Sequence, residues 1–220
     1  MFIGHFGVAL ALKRADKALS LGLLFIAVQF SYLVYGFALL AGIEKVSFIA
    51  GTNPNTSVQY LFFPYSHSLV ATLLWAGLFA LIFLIAPIKS NLHKRRTAGI
   101  MAIAVLSHFV LDVIVHNADV DLLGNGVYKI GLGLWNYPLA SYGIEALLLI
   151  VGLWIYLRAT KAISLIGKYG LPILVAILLV LGAMSTFIMQ TTDMVNFALT
   201  MLVIYFSMIT LAFWLDRKRQ

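Results

Sequence analysis

Long apolar runs alternate with short polar segments along this chain. A bilayer core about 30 Å thick is crossed by roughly 20 apolar residues in an α-helix, and the chain carries several runs of that length. They are residues 18–41, 65–88, 97–117, 138–157, 170–190 and 194–214. The pattern predicts an all-α, polytopic membrane helix bundle with about six transmembrane helices. The last two would be joined by a very short turn at Thr191, Thr192 and Asp193.

Residues 2–12 form one more apolar segment, too short to span a membrane, directly before the basic pair Lys13 and Arg14. Two structures fit this segment. A short N-terminal half-helix would enter the bundle and carry His5 into it, whereas an interfacial helix would lie flat on the membrane surface.

The composition agrees with a membrane protein. Hydrophobic residues make up 62% of the 220 residues and charged residues only 10%, with a mean hydropathy of +1.00. A soluble domain carries about a quarter charged residues. The chain has no internal repeat, and residues 1–220 are therefore interpreted as a single integral membrane domain. The lack of cysteine excludes disulfides, thiolate metal ligands and a cysteine nucleophile.

The net charge of +7 reports topology rather than a nucleic-acid partner. With six spans, 13 of the 15 Lys and Arg residues fall on one side, and only Lys45 and Lys129 fall on the other. Positively charged loops face the cytoplasm. Both termini are therefore predicted to be cytoplasmic, and no nucleic-acid binding is expected.

Ionisable residues inside apolar spans are the candidate chemistry, because burying them in a bilayer is costly and they normally face a partner or a cavity. Residues 107–116 read SHFVLDVIVH, with His108, Asp112 and His116 spaced four apart. Four residues turn an α-helix by about 400°, so these side chains project from one side. Asp119 follows on nearly the same side, and His67 begins the preceding span.

Imidazole nitrogens and a carboxylate that converge in a dry cavity suit a divalent metal ion such as zinc, with manganese or iron as alternatives. The same residues could instead form a path for protons or metal ions, or hydrogen bonds that hold helices together. Glu145, inside the fourth span, is a further candidate as a ligand, a base or a partner of a histidine.

Several segments together resemble the bacterial membrane-bound metal-dependent hydrolases, some of which are called LexA-regulated. They are GHFGVALALKR, AVQF, PYSHS, SHFVLDVIVH and GLGLWNYP, and they cover about residues 1–157. The similarity is to an uncharacterised branch, and residues 158–220 add two helices to it. The resemblance implies metal ligands at His5, His67, His108 and Asp112, and it favours the half-helix for residues 2–12.

One position departs from that family. An acidic residue is usual three positions after the Gln of AVQF, and here Tyr32 takes its place. A missing carboxylate would weaken a metal site or remove a general base. This leaves open a protein that binds a ligand without catalysing a reaction.

The resulting hypothesis is a metal-dependent hydrolase of a lipid or similar amphiphile in the bacterial cytoplasmic (inner) membrane. His116, Asp119 and Glu145 would orient ligands or move protons. The alternatives are a non-catalytic accessory subunit of a larger membrane complex, and a transporter of protons or metal ions.

Overall fold

A computed structural model describes residues 1–53, 56–86, 91–188 and 193–220. Helices dominate these ranges, and the predicted helical membrane bundle is confirmed. The helices are α1 (Gly4–Leu12), α2 (Leu21–Leu40), α3 (Pro64–His67), α4 (Leu69–Ile85), α5 (Asn91–Val115), α6 (Pro138–Ala159), α7 (Leu165–Phe187) and α8 (Met194–Asp216). The predicted turn residues Thr191 and Thr192 lie outside the described ranges, as does Lys89.

Five of the helices in the described ranges are long and apolar enough to cross a membrane: α2, α5, α6, α7 and α8. The remaining expected span, 65–88, is divided at Ser68, whose extended backbone (ψ 154°) separates α3 from α4. The Ser68 hydroxyl accepts a hydrogen bond from the Ala71 amide and so caps α4, which has 17 residues. The break leaves His67 at the end of its own short helix.

The N-terminal segment forms a helix inside the bundle rather than on its surface. α1 packs against α6, α2 and α5, and His5, Phe6, Ala9 and Leu10 are fully buried. Its contact with α6 is close because glycines meet there: a Cβ added to Gly152 would collide with the Gly7 carbonyl. This packing brings the first residues of the chain to α5.

Two short hairpins occupy the connections between helices, which the apolar pattern did not predict. β1 (Lys45–Asn53) pairs antiparallel with β2 (Thr56–Phe62), and β3 (Val120–Asp121) pairs with β4 (Lys129–Ile130). The hairpins satisfy backbone hydrogen bonds in segments that lack helical periodicity. Both lie at the end of the bundle where α2 ends and α6 begins.

The last two helices belong to the same bundle as the rest. α8 packs along α2, and α7 packs along α6. The shared core includes Tyr205 and Ala212 from α8 and Leu178 from α7, together with Phe6 of α1 and Phe25 of α2.

Candidate metal centre

Three elements bring five ionisable side chains to one buried place. His5 comes from α1, His67 from α3, His108 and Asp112 from successive turns of α5, and His116 from the residue directly after α5. Each of these side chains is at most 2% exposed. The residues for which the sequence predicted a metal-binding role therefore lie together, although they come from distant parts of the chain.

Asp112 lies at the centre of this cluster. Its Oδ2 is 3.1 Å from His108 Nε2, 3.6 Å from His67 Nε2 and 4.0 Å from His116 Nε2. Its Oδ1 is 3.2 Å from His5 Nε2 and accepts a hydrogen bond from the Met1 amino group at 2.6 Å. The His5 and His108 rings are stacked, with centroids 4.0 Å apart.

The other ring nitrogen of three of these histidines faces a hydrogen-bond acceptor. His108 Nδ1 lies 2.7 Å from the Val28 carbonyl, and His116 Nδ1 lies 2.9 Å from Asp119 Oδ1. His67 Nδ1 lies 2.6 Å from the Ser66 hydroxyl. Because carbonyl and carboxylate oxygens only accept, the hydrogen of a neutral imidazole belongs on Nδ1 in the first two cases.

The same reasoning holds for His67. The Ser66 hydroxyl donates its single hydrogen to Glu44 Oε2 at 2.7 Å, so it accepts from His67 Nδ1. In the neutral form, each of the three imidazoles would therefore turn a lone pair on Nε2 toward Asp112 Oδ2. This arrangement resembles the outer hydrogen bonds that fix the tautomer of metal-binding histidines.

The cluster is rich in acceptors and poor in donors. Among the described residues, Asp112 Oδ2, His116 Nε2 and His5 Nδ1 are buried without a hydrogen-bond partner. Buried polar atoms are almost always paired, because burying an unpaired one is costly. A cation between Asp112 Oδ2 and His116 Nε2, which are 4.0 Å apart, would satisfy both of these atoms.

The distances fit such a cation. Ligand atoms at 2.0–2.1 Å around a tetrahedral zinc ion are separated by about 3.3 Å. The nitrogens of His67 and His108 and the Asp112 oxygen are separated by 3.1, 3.4 and 3.6 Å. Ligand atoms of His5, His108 and Asp112 also lie within 4.8 Å of one another. The residues present therefore fit a small divalent ion, with His5 beside Asp112 Oδ1 and His116 beside Asp112 Oδ2.

Glu44 supports the site and was missed by the sequence reasoning. It is fully buried, and its Oε1 accepts hydrogen bonds from the Tyr65 and Ser66 amides at 2.8 and 3.0 Å. Burial raises the pKa of Glu44, while these hydrogen bonds and that from Ser66 oppose the rise. One signal could have identified it: Glu44 is the only acidic residue between 42 and 64.

Tyr32 lies beside the cluster. Its ring stands edge-on to His108, with centroids 4.6 Å apart. Its hydroxyl donates to the Met1 carbonyl at 2.6 Å and accepts from the Met1 amino group at 3.1 Å. Tyr32 therefore contributes a ring beside the imidazoles and a hydroxyl that holds Met1.

The residues predicted to orient ligands or move protons separate into two groups. Asp119, with a side chain 25% exposed, bonds to His116 and so joins the cluster. Glu145 is buried, and its hydrogen bonds within the described chain go to the amides of Phe2 and Gly4, at 2.7 and 3.1 Å. Glu145 therefore holds the start of α1, and through it the position of His5.

A cavity of about 230 Å³ lies beside the cluster, between the first residues, β2 and helices α6 to α8. Its wall on the cluster side includes Tyr32, Tyr60 and Trp135. The rings of Tyr60 and Trp135 lie 4.9 and 4.1 Å from that of His116. One layer of aromatic rings thus separates the cavity from the imidazoles.

Comparison with known proteins adds no assignment: no protein-family model, curated protein or solved structure matches this chain.

Proposed function

We propose that this chain is a membrane-embedded, metal-dependent hydrolase of a lipid or similar amphiphile. The observation that carries the proposal is the convergence of three Nε2 lone pairs on Asp112 Oδ2, with no protein donor between them. The resemblance of residues 1–157 to the metal-dependent hydrolases supports the same chemistry. It also supports a bacterial cytoplasmic membrane, and the distribution of basic residues supports cytoplasmic termini.

His67, His108 and Asp112 would hold the ion, with His5 completing the set. Imidazole nitrogens with one carboxylate suit zinc, and also manganese or iron. Bound there, a divalent ion supplies the Lewis acidity that lets water lose a proton near neutral pH.

The protein's own residues would supply orientation and proton transfer. Ser66, the Val28 carbonyl and Asp119 fix the imidazole rings, so their Nε2 atoms need not reorganise on binding. His116 Nε2, buried without a protein partner among the described residues, is the group available to accept a proton. Asp119 would stabilise the resulting imidazolium through Nδ1.

The cavity supports an amphiphilic substrate. Its lining is largely apolar, and Ser185 of α7 and Thr200 of α8 add hydroxyl groups. Apolar pockets with a few polar groups bind small molecules, and the aromatic wall places a bound chain one side chain away from the cluster. Movement of Tyr60 or Trp135 would join the two spaces.

Elemental analysis of the purified protein tests the metal centre. We expect about one divalent ion per chain, and loss of that ion in His108→Ala. His93→Ala is the matched control, because His93 lies in the same helix but near its other end, beside Asp16 (3.5 Å). Folded wild-type protein that takes up no zinc, manganese or iron would contradict the proposal.

Hydrolysis needs a separate test. Metal-loaded protein in liposomes of extracted lipids should release hydrolysis products, measured by mass spectrometry, and His108→Ala should release none. Thr200→Trp, which fills the cavity, should keep the metal and lower the turnover of amphiphiles. A metal-loaded protein without products would leave a metal-binding accessory subunit as the better interpretation.

A further inference from the structure

A groove of about 490 Å³ runs between α1 and α6, away from the imidazole cluster. Its lining is almost entirely apolar. It includes Val8, Ala11, Leu12, Leu148 and Val151. One end of the groove reaches Arg14, two residues after the end of α1.

A second pocket, of about 420 Å³, begins at that end and shares Arg14 with the groove. Lys17, Trp154 and Arg158 also line it, and no acidic residue does. The Arg158 guanidinium lies 5.4 Å from the centre of the Trp154 ring, a cation–π distance. An apolar groove and a basic pocket therefore adjoin each other at Arg14.

The three cations of this pocket are not neutralised by the protein. Within the described parts of the chain, Arg14, Lys17 and Arg158 form no ion pair, and all three are exposed. The neighbouring Lys13 differs, because it is buried and paired with Asp216 at 2.7 Å. Positive charge is thus left facing outward beside an apolar groove.

We infer that this groove and pocket bind one anionic phospholipid. An acyl chain would lie against α1 and α6, and the headgroup phosphate would contact Arg14, Lys17 and Arg158. Basic pockets between transmembrane helices at the membrane surface bind anionic headgroups, and tryptophan is typical of that level. The inference does not depend on the proposed hydrolase activity, because the site is separate from the imidazoles.

Native mass spectrometry of the full-length protein tests this site. Protein released from nanodiscs of mixed phosphatidylglycerol and phosphatidylcholine should retain one phosphatidylglycerol in preference. Each cation near an anionic headgroup contributes roughly fivefold to affinity, so Arg14→Gln/Arg158→Gln should bind on the order of thirtyfold more weakly. Arg95→Gln/Arg96→Gln, exposed on α5, is the matched control and should bind as the wild type does.

A second variant tests the groove without changing charge. Ala11→Trp should reduce retention of phosphatidylglycerol while leaving the helical circular dichroism signal and metal content unchanged. Equal binding of phosphatidylcholine, equal losses in the two double variants, or displacement of the lipid by inorganic phosphate would each overturn the inference. Metal content, measured on the same samples, keeps this outcome distinct from failure of the metal centre.

Discussion

Two carboxylates at opposite ends of the bundle, Asp112 and Asp216, are both largely buried but have different partners. Asp216 Oδ2 accepts from Lys13 Nζ at 2.7 Å and from the Leu21 amide at 2.9 Å, and its Oδ1 accepts from the Tyr156 hydroxyl at 2.7 Å. Every one of these partners is a donor. Asp112 Oδ2 instead faces imidazole nitrogens whose hydrogens are directed elsewhere.

The comparison teaches that burial by itself does not identify a functional charge. Asp216 has protein donors on both oxygens, and Lys13 Nζ also donates to the Leu19 carbonyl at 2.7 Å. This set joins α8, α6 and the segment between α1 and α2. The Asp112 site lacks donors on one oxygen, and that deficiency is what a metal ion would remedy.

The largest expected effect comes from breaking the ion pair between Lys13 and Asp216. Asp216→Ala should lower the free energy of unfolding by about 3–5 kcal/mol, because it leaves the Lys13 ammonium buried without its counter-ion. Denaturant unfolding in detergent measures this loss. Metal content should not change, and Lys13→Met/Asp216→Leu should recover part of the stability. A loss well below 1 kcal/mol would show that the pair behaves like a surface ion pair.

For Asp112→Asn, in contrast, we expect the main loss in metal affinity rather than in stability. Metal affinity should fall by more than about a hundredfold, because changes behind the ligands alone cost 10–100-fold. Zinc titration with a competing chelator measures this change. Asp119→Asn, which alters the support of His116 only, is the control and should lose less. Equal affinities in the two variants would remove Asp112 from the centre of the site.

Two serines two residues apart sharpen the comparison further. Ser66→Ala removes the acceptor that orients His67, so metal affinity should fall by about 10–100-fold. Ser68→Ala removes the cap of α4 and should cost about 1 kcal/mol of stability, with metal affinity unchanged. Parallel metal and unfolding titrations check both. If the two variants had the same profile, Ser66 would have no special link to His67.

The smallest effect concerns pH and Glu44. Because burial raises the pKa of Glu44 in the folded state above its usual 4.5, the folded state binds the proton more tightly than the unfolded state. Its contribution to stability should therefore decrease as pH rises from about 4.5 through the folded-state pKa, and stay constant above it. Glu44→Gln should lack this slope. The wild-type free energy of unfolding minus that of Glu44→Gln, measured across that pH range, should fall as pH rises. A rise would show that the sign is wrong.

The extent to which the fold was predictable follows from the chemistry of the bilayer. Apolar runs of span length predict helices because backbone polar groups must be paired within the segment, and α2, α5 and α6 lie close to their predicted ranges. The break at Ser68 and the hairpin of β1 and β2 carried no such signal, since local turn and strand pairing depend on neighbours in space.

The sequence by itself determined that the chain is a helical membrane bundle and that α5 carries His108 and Asp112 on one side, because helical periodicity is local. Only the tertiary structure decided which groups meet them. His5 and His67 approach Asp112 through the packing of α1 and the break before α4, and Glu44 reaches Ser66 from a different segment. Tertiary packing also decides which lone pairs are free, because a ring nitrogen acts as a donor or an acceptor according to the neighbour that packing places beside it.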